Sequence, residues 1–315
     1  RPTFNSYMYA QCRALAEMHA ATNNDKLSKE YADEAEAIRV LMTRLLWDDE
    51  AKFFKVMRTK DEPLRKLADV REQIGYIPWI YSIPPKDSGY EEAWRELMSP
   101  DGFYAPYGPT TAEQRHPAFS VSYQGHECQW NGPSWPYATA QTLTAMANVL
   151  QEYPQNIITK RDYINLLDIY TRCHQLQRED GSLVPWIDEN LNPYTGDWLA
   201  RTRLKSWRDG TWADEKGGRE RGKDYNHSTY VDPVITGLVG LRPRSDYIVE
   251  VNPLVPDNTW DYFCLDRVPY QGRSLTIIWD KTGEKYNKGK GLTTIADGEV
   301  IAHSTSLSRT DGRLT

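Results

Sequence analysis

Apolar positions recur at helical spacing from the start of the chain. Over residues 6–22, Met8, Cys12, Leu15, Ala16 and Met18 fall near one face with neither Pro nor Gly between them, which predicts an amphipathic helix. Asn23-Asn24-Asp25 reads as a turn. Over residues 26–46, Leu27, Tyr31, Ala35, Ile38, Leu41, Met42 and Leu45 line a second face, so the two segments predict an antiparallel helical hairpin. After an Asp48-Asp49 turn, Phe53-Phe54-Lys55-Val56 predicts a short extended piece, with a loop following to about residue 69. Residues 70–83 are apolar and aromatic with Pro78 inside, and predict a buried, kinked helix. A short helix over 88–98 with Ser88 as cap precedes an irregular stretch over 100–124, and loops of that length inside a domain are usually functional. Further helices are expected over 134–153, over 159–178 from a Thr159 cap, and over 225–241 up to Gly240.

Beyond Leu241 the period changes. Residues 247–251, 262–265, 275–279 and 292–295 are short β-rich runs between Gly, Pro, Asn and Asp turns, which predict a small antiparallel β-domain. With the boundary near Arg242-Pro243-Arg244, the expected organisation is a helical part over 1–243 and a β-sandwich-like part over 244–315.

Composition narrows the functional classes. No apolar run approaches the roughly 18 residues of a spanning helix, and the mean hydropathy is −0.70, so no membrane partner is expected. The 38 basic and 44 acidic residues give a net charge of −6, which repels a phosphate backbone, so no nucleic-acid partner is expected. Cys12, Cys128, Cys173 and Cys264 form no CxxC pair, the six His show no HExxH, and no phosphate-cradling glycine motif or GxSxG elbow occurs. Neither a metal nor a cofactor is expected. The chain opens Arg1-Pro2 without Met or a leader-like segment, so localisation is not read from it, with a periplasmic or extracellular setting preferred. One bias changes the picture: 11 Trp and 20 Tyr stand against 6 Phe. Rings with a polar edge suit ligands that present C–H faces and hydroxyl rims, although the same rings also fill large cores.

Three segments carry candidate chemistry. His126-Glu127-Cys128-Gln129-Trp130-Asn131-Gly132-Pro133-Ser134-Trp135-Pro136 puts two Trp, an amide and a Ser cap at the mouth of a helix. That arrangement suits a sugar, and a Trp-lined corner closing the helix fits the same residues equally. Pro185-Trp186-Ile187-Asp188-Glu189-Asn190-Leu191-Asn192-Pro193-Tyr194-Thr195-Gly196 sets two carboxylates in a punctuated loop beside Trp186. A carboxylate among aromatics and amides can act as a general base, although an Asp-Glu pair alone more often makes a solvated turn. The third segment, residues 219–230, is charged and holds Asn226-His227-Ser228, a formal glycosylation sequon.

In this order, together with Asn5-Ser6-Tyr7-Met8, Gly102-Phe103-Tyr104-Ala105-Pro106-Tyr107-Gly108 and His116-Pro117-Ala118-Phe119, these segments resemble the (α/α)6-barrel glycoside hydrolases of family 63 and the mannosylglycerate-hydrolase-like group. The Glu-Asn-x-Asn-Pro-x-Thr-Gly string is the most specific piece. The resemblance implies a mainly α fold, part of an (α/α)6 six-hairpin toroid followed by a small antiparallel β-domain. It also implies a carbohydrate substrate, Glu189 as catalytic base, and Trp130, Asn131, Trp135, Trp186 and His227 around the sugar. The family's general acid lies on a loop ahead of the Asn5-Ser6 segment. About seven helices are read here, where a full toroid needs twelve, so a missing N-terminal half of the barrel is the expected partner. Glu72 and Glu127 are the nearest internal carboxylates. The expected reaction is inverting hydrolysis by an exo-acting, α-glycosidase-like enzyme, which sets two carboxyls roughly 6.5–9.5 Å apart around a water. A carbohydrate-binding fragment without the acid, and a lyase using Tyr225 and His227, are the alternatives.

Overall fold

The computed structural model describes residues 1–58, 66–122, 128–177, 180–199 and 229–314. Helix α1 (Pro2–Ala21) starts on Pro2, a residue whose missing N–H costs nothing in a first turn, and buries the small side chains of Ser6, Cys12 and Ala16. Helix α2 (Asp25–Leu46) is capped by Asn24, whose Oδ1 accepts from the Leu27 amide at 3.3 Å. The two pack as the expected hairpin. Trp47–Asp48 (β1) and Phe53–Phe54 (β2) then close a two-stranded ladder, tightened because Asp48 accepts from the Glu50 and Ala51 amides and from Lys55.

The fully buried Phe53 and Phe54 start an aromatic core. Phe53 meets Tyr76 edge-on at 5.1 Å between centroids, and Trp94 lies 4.6 Å from Tyr76 and 5.6 Å from Trp79. The segment over 70–83 is a 3₁₀ helix (Gln73–Tyr81) rather than a kinked α-helix. Pro78 removes a donor, and Gly75 lets the backbone lie directly against the Phe53 ring and the Phe54 carbonyl. The segment over 88–98 is likewise a 3₁₀ helix (Tyr90–Glu96), entered through Gly89 at φ +78°, and Ser88 is no cap because its hydroxyl donates to the Lys86 carbonyl at 3.2 Å.

Helix α3 (Pro136–Glu152) is capped in extended geometry by Trp135 without a side-chain cap, so the Ser cap expected there is absent. Helix α4 (Lys160–Arg172) opens with a full capping box between Thr159 and Asp162. It stops at Arg172, short of the expected residue 178. In place of its last turn the chain forms a hairpin of β3 (Gln175–Gln177) and β4 (Leu183–Pro185), with Gly181 at φ +82° in the connecting turn. Residues 225–228 lie outside the described residues. The rest of the helix expected over 225–241 is one π-helical piece, Pro233–Val239, ended by Gly240 at φ +85°.

Seven antiparallel strands complete the described chain. Leu241–Arg242 (β5), Ile248–Val251 (β6) and Thr310–Arg313 (β11) form one sheet in the order β11-β6-β5. Tyr262–Tyr270 (β7), Arg273–Asp280 (β8), Gly291–Ala296 (β9) and Glu299–Ser304 (β10) form a meander. One apolar core runs from Phe53, Trp79 and Leu143 into Val249, Val251, Leu275 and Leu292, so sheets and helices share an interior. Polar clasps sit at the junction. Arg242 donates to Asn148 and Glu152 at 2.8 Å each, Gln151 to the Asn252 carbonyl at 2.7 Å, and Lys160 to the Pro253 carbonyl at 2.7 Å. No helix among the described residues is long and apolar enough to cross a membrane.

Arg242→Ala removes the donor to Glu152 Oε1 and to the buried Asn148 Oδ1 and should cost about 1–3 kcal/mol, while Arg267→Ala on the exposed surface should stay within about 0.5 kcal/mol. Urea melts of the two variants check this, and equal midpoints would contradict it.

Candidate active site

The site is assembled by three loops at the start of α3. Trp135 is nearly buried, its indole N–H donating to the Gln129 carbonyl at 2.9 Å. Trp130 stacks on it with centroids 4.2 Å apart and planes 21° apart, and keeps 43% of its surface exposed. One ring is thus a fixed base and the other an exposed aromatic face.

Beneath this pair lies the irregular stretch after residue 100. Thr111 Oγ1 accepts from the Gly132 amide at 3.1 Å and donates to the Pro133 carbonyl at 3.0 Å. The Ser120 amide donates to the Asn131 carbonyl at 3.0 Å, and Asn131 Nδ2 to the Ala118 carbonyl at 2.8 Å, so the Asn131 side chain helps to hold the loop. Gly132 is required because any Cβ there would meet the Ser120 carbonyl. The stretch is itself anchored by Arg71, which donates from its backbone and from Nη1 to the two oxygens of buried Glu113 at 2.8 and 2.7 Å.

The third loop joins through an isolated antiparallel bridge. Ser134 and Leu191 exchange both backbone hydrogen bonds, at 3.0 and 2.9 Å. Ser134, expected as a helix cap, is therefore the partner of this loop. Beyond Leu191 the chain makes a tight turn. The Asn192 amide donates to the Asp197 carbonyl at 2.8 Å, the Gly196 amide to the Asn192 carbonyl at 2.9 Å, and the Tyr107 amide to the Pro193 carbonyl at 2.9 Å. Gly196 sits at φ +79° with the Tyr107 ring so close that a Cβ would lie 2.6 Å from it.

Around Glu189 burial alternates as an extended chain requires: Asp188 and Asn190 are buried and Glu189 is half-buried. Asp188 Oδ1 accepts from the Glu189 amide at 2.7 Å, and Glu189 Oε2 accepts from the Cys128 thiol at 3.6 Å. The structure thus places Glu189 against the segment that bears Trp130, Asn131 and Trp135. Trp186 packs with Tyr104 and Tyr107 on a separate small cluster of Ile169, Cys173, Leu191 and Trp198. His227 and Glu127 lie outside the described residues. Glu72 pairs in a backbone bridge with Ala112, next to Thr111, and burial raises its pKa above the usual carboxylate value, eased by the charge of Arg1. Among the described residues no group of three His, Cys, Asp or Glu is placed to hold a metal ion. The sequence does not single out Thr111, Tyr107 or Cys128, since each acts through a neighbour fixed only by the fold.

The described residues form a mainly helical part followed by a small antiparallel β part. The family model of the mannosylglycerate hydrolase MGH1-like glycoside hydrolase domain matches residues 1–228, and the chain belongs to that family. The glycosyl hydrolase family 65 C-terminal domain matches residues 241–303. A solved structure named Sialidase is 43% identical with a TM-score of 0.86, covering 99% of this chain and 26% of that one. The chain thus spans about a quarter of that relative's length. Two structures of the GH63 mannosylglycerate hydrolase from Thermus thermophilus are each 18% identical. The complex with glucose covers 62% of this chain and 42% of its own at a TM-score of 0.45. The complex with Tris and D-glycerate covers 63% and 42% at 0.48.

Gly196→Ala combines a left-handed backbone with a clash on Tyr107. Gly298→Ala, at φ +94° with open space around it, carries backbone strain alone. The first should lose about 1–3 kcal/mol more than the second, read as a difference in thermal unfolding, and equal losses would contradict the tight seat of the turn.

Proposed function

We propose that this chain carries the general base of a glycosidase that hydrolyses a glycosidic bond with inversion, acting on the end of an α-linked oligosaccharide or glycoside. The observation that carries the reading is the seat of Glu189. It is the Glu of the most specific family string, held half-buried against the Cys128 thiol on the segment that carries the exposed Trp130, and flanked by buried Asp188 and Asn190. In this mechanism the face of Trp130 takes the C–H side of the sugar. Glu189 removes a proton from a water as that water's oxygen bonds to the anomeric carbon, while the bond to the leaving oxygen breaks and that oxygen is protonated by an acid. The family resemblance puts the proton donor on a loop ahead of Asn5-Ser6-Tyr7-Met8, in the N-terminal half of the barrel. Inversion, exo action and the α preference rest on the resemblance.

The relative named Sialidase adds a substrate to be tested. Sialidases with a Tyr nucleophile depart from the paired-carboxylate scheme, and a site built around Glu189 favours a neutral glycoside. The binding-fragment reading keeps Trp130 and loses turnover. The lyase reading needs Tyr225 and His227, and its product is unsaturated and absorbs ultraviolet light.

The test uses this chain and any longer product its gene encodes, assayed with aryl glycosides and an aryl sialoside, the anomer released being followed by NMR. Glu189→Gln should lower kcat by about 10²–10⁴ while sugar affinity is kept, and the product formed should be inverted. An unchanged kcat in the variant, or a product of retained configuration, would overturn the reading.

A further inference from the structure

We infer that Cys128 is a positioning residue for Glu189, its thiol turning the carboxylate so that Oε1 rather than Oε2 meets the attacking water. The inference rests on the reading of Glu189 as the base. Two loops far apart in the chain bring the pair together, and each has anchors of its own besides the Ser134–Leu191 bridge they share. Cys128 precedes Gln129, whose carbonyl accepts from Trp135 Nε1 at 2.9 Å and whose Nε2 donates to the Ser120 carbonyl at 2.6 Å. Glu189 is held by the Ser134–Leu191 bridge two residues on and by Asp188 Oδ1 on its own amide. Between these supports the Cys128 thiol donates to Glu189 Oε2 at 3.6 Å, a normal reach for sulfur. Among the described residues Oε1 accepts from no side chain and no backbone group.

A thiol suits what a base needs. An Arg or Lys against the carboxylate would stabilise its charged form strongly and weaken it as a base, as paired carboxylates generally show. A thiol is neutral and a weak donor, so it fixes the rotamer without setting a charge against the carboxylate. The thiol itself takes no part in bond making, and its proton stays on sulfur.

In the longest active form of the protein, Cys128→Ala should lower kcat about two- to fivefold with KM within about twofold, the worth of one weak orienting donor. Cys128→Ser, which keeps a donor, should restore most of the loss. In a Glu189→Gln background Cys128→Ala should remove nothing further, because the two act as one unit. A measurement independent of activity is alkylation by iodoacetamide, followed by peptide mass spectrometry so that Cys128 and Cys264, the two exposed cysteines, are counted apart. Without the carboxylate beside it the Cys128 thiol ionises more readily, so Glu189→Gln should speed its alkylation about threefold or more. A wild-type kcat in Cys128→Ala, additive losses in the double variant, or an unchanged alkylation rate in Glu189→Gln would overturn the inference. Full turnover in Glu189→Gln alone would instead overturn the base assignment, with the alkylation rate still reporting whether thiol and carboxylate touch.

Discussion

The candidate site depends on one pair of backbone hydrogen bonds, those exchanged by Ser134 and Leu191 at 3.0 and 2.9 Å. An isolated bridge is weak by itself, a net 0.5–1.5 kcal/mol or so for each bond, and here it is over-determined from both sides. Ser134 is pressed against Gly108, which has no Cβ to hold it off, and the next residue opens α3. Leu191 is buried on Ile169 and Cys173 of the α4 region together with Trp198. The bridge therefore takes its precision from the packing of α3 and α4, and it passes that precision to Glu189 on one strand and to the Trp130–Trp135 stack on the other. A site that must hold its groups to fractions of an ångström is better built on such a seam than on a free loop.

The aromatic-rich composition has two explanations in this protein, and both apply. Tyr76, Trp79, Trp94, Tyr163 and Tyr170 are core residues with essentially no exposed surface, while Trp130 offers its face to solvent. The polar tips of the core tyrosines are put to structural use: Tyr163 donates to the Pro233 carbonyl at 2.7 Å and Tyr153 to the Pro84 carbonyl at 2.8 Å. Burial holds the Tyr163 and Tyr153 hydroxyls well above their usual pKa, so they stay neutral donors at physiological pH.

Long periodic segments are legible in the sequence, and short ones are not. The α1–α2 hairpin, the start of α4 at Thr159 and the switch to antiparallel strands follow from spacing, caps and turn residues that act within a few positions. The aromatic run around Pro78 reads as a kinked α-helix, but its 3₁₀ geometry is set by Phe53 and Phe54 lying against it, a tertiary effect. Helix α4 ends earlier than its spacing suggests, because the β3–β4 hairpin depends on a Gly181 turn and not on residue type along the strand. Strands β10 and β11 leave little trace in the sequence, since Glu299–Ser304 alternates weakly and Thr310–Arg313 reads as a polar tail. The motif strings point to Glu189 and the Trp pair through resemblance. The contacts that seat them, from Thr111, Tyr107, Ser134 and Cys128, join positions that no local pattern connects.

The central claim is that Glu189 directs a water to the anomeric carbon from the face opposite the leaving group. Chemical rescue tests it most directly: in a Glu189→Ala variant of the longest active form, azide can enter the space vacated by the carboxylate and the water and attack the same carbon. The account predicts slow hydrolysis without azide and, with it, a glycosyl azide of inverted configuration identified by NMR. A glycosyl azide of retained configuration, or a variant that hydrolyses the glycoside at the wild-type rate, would contradict it.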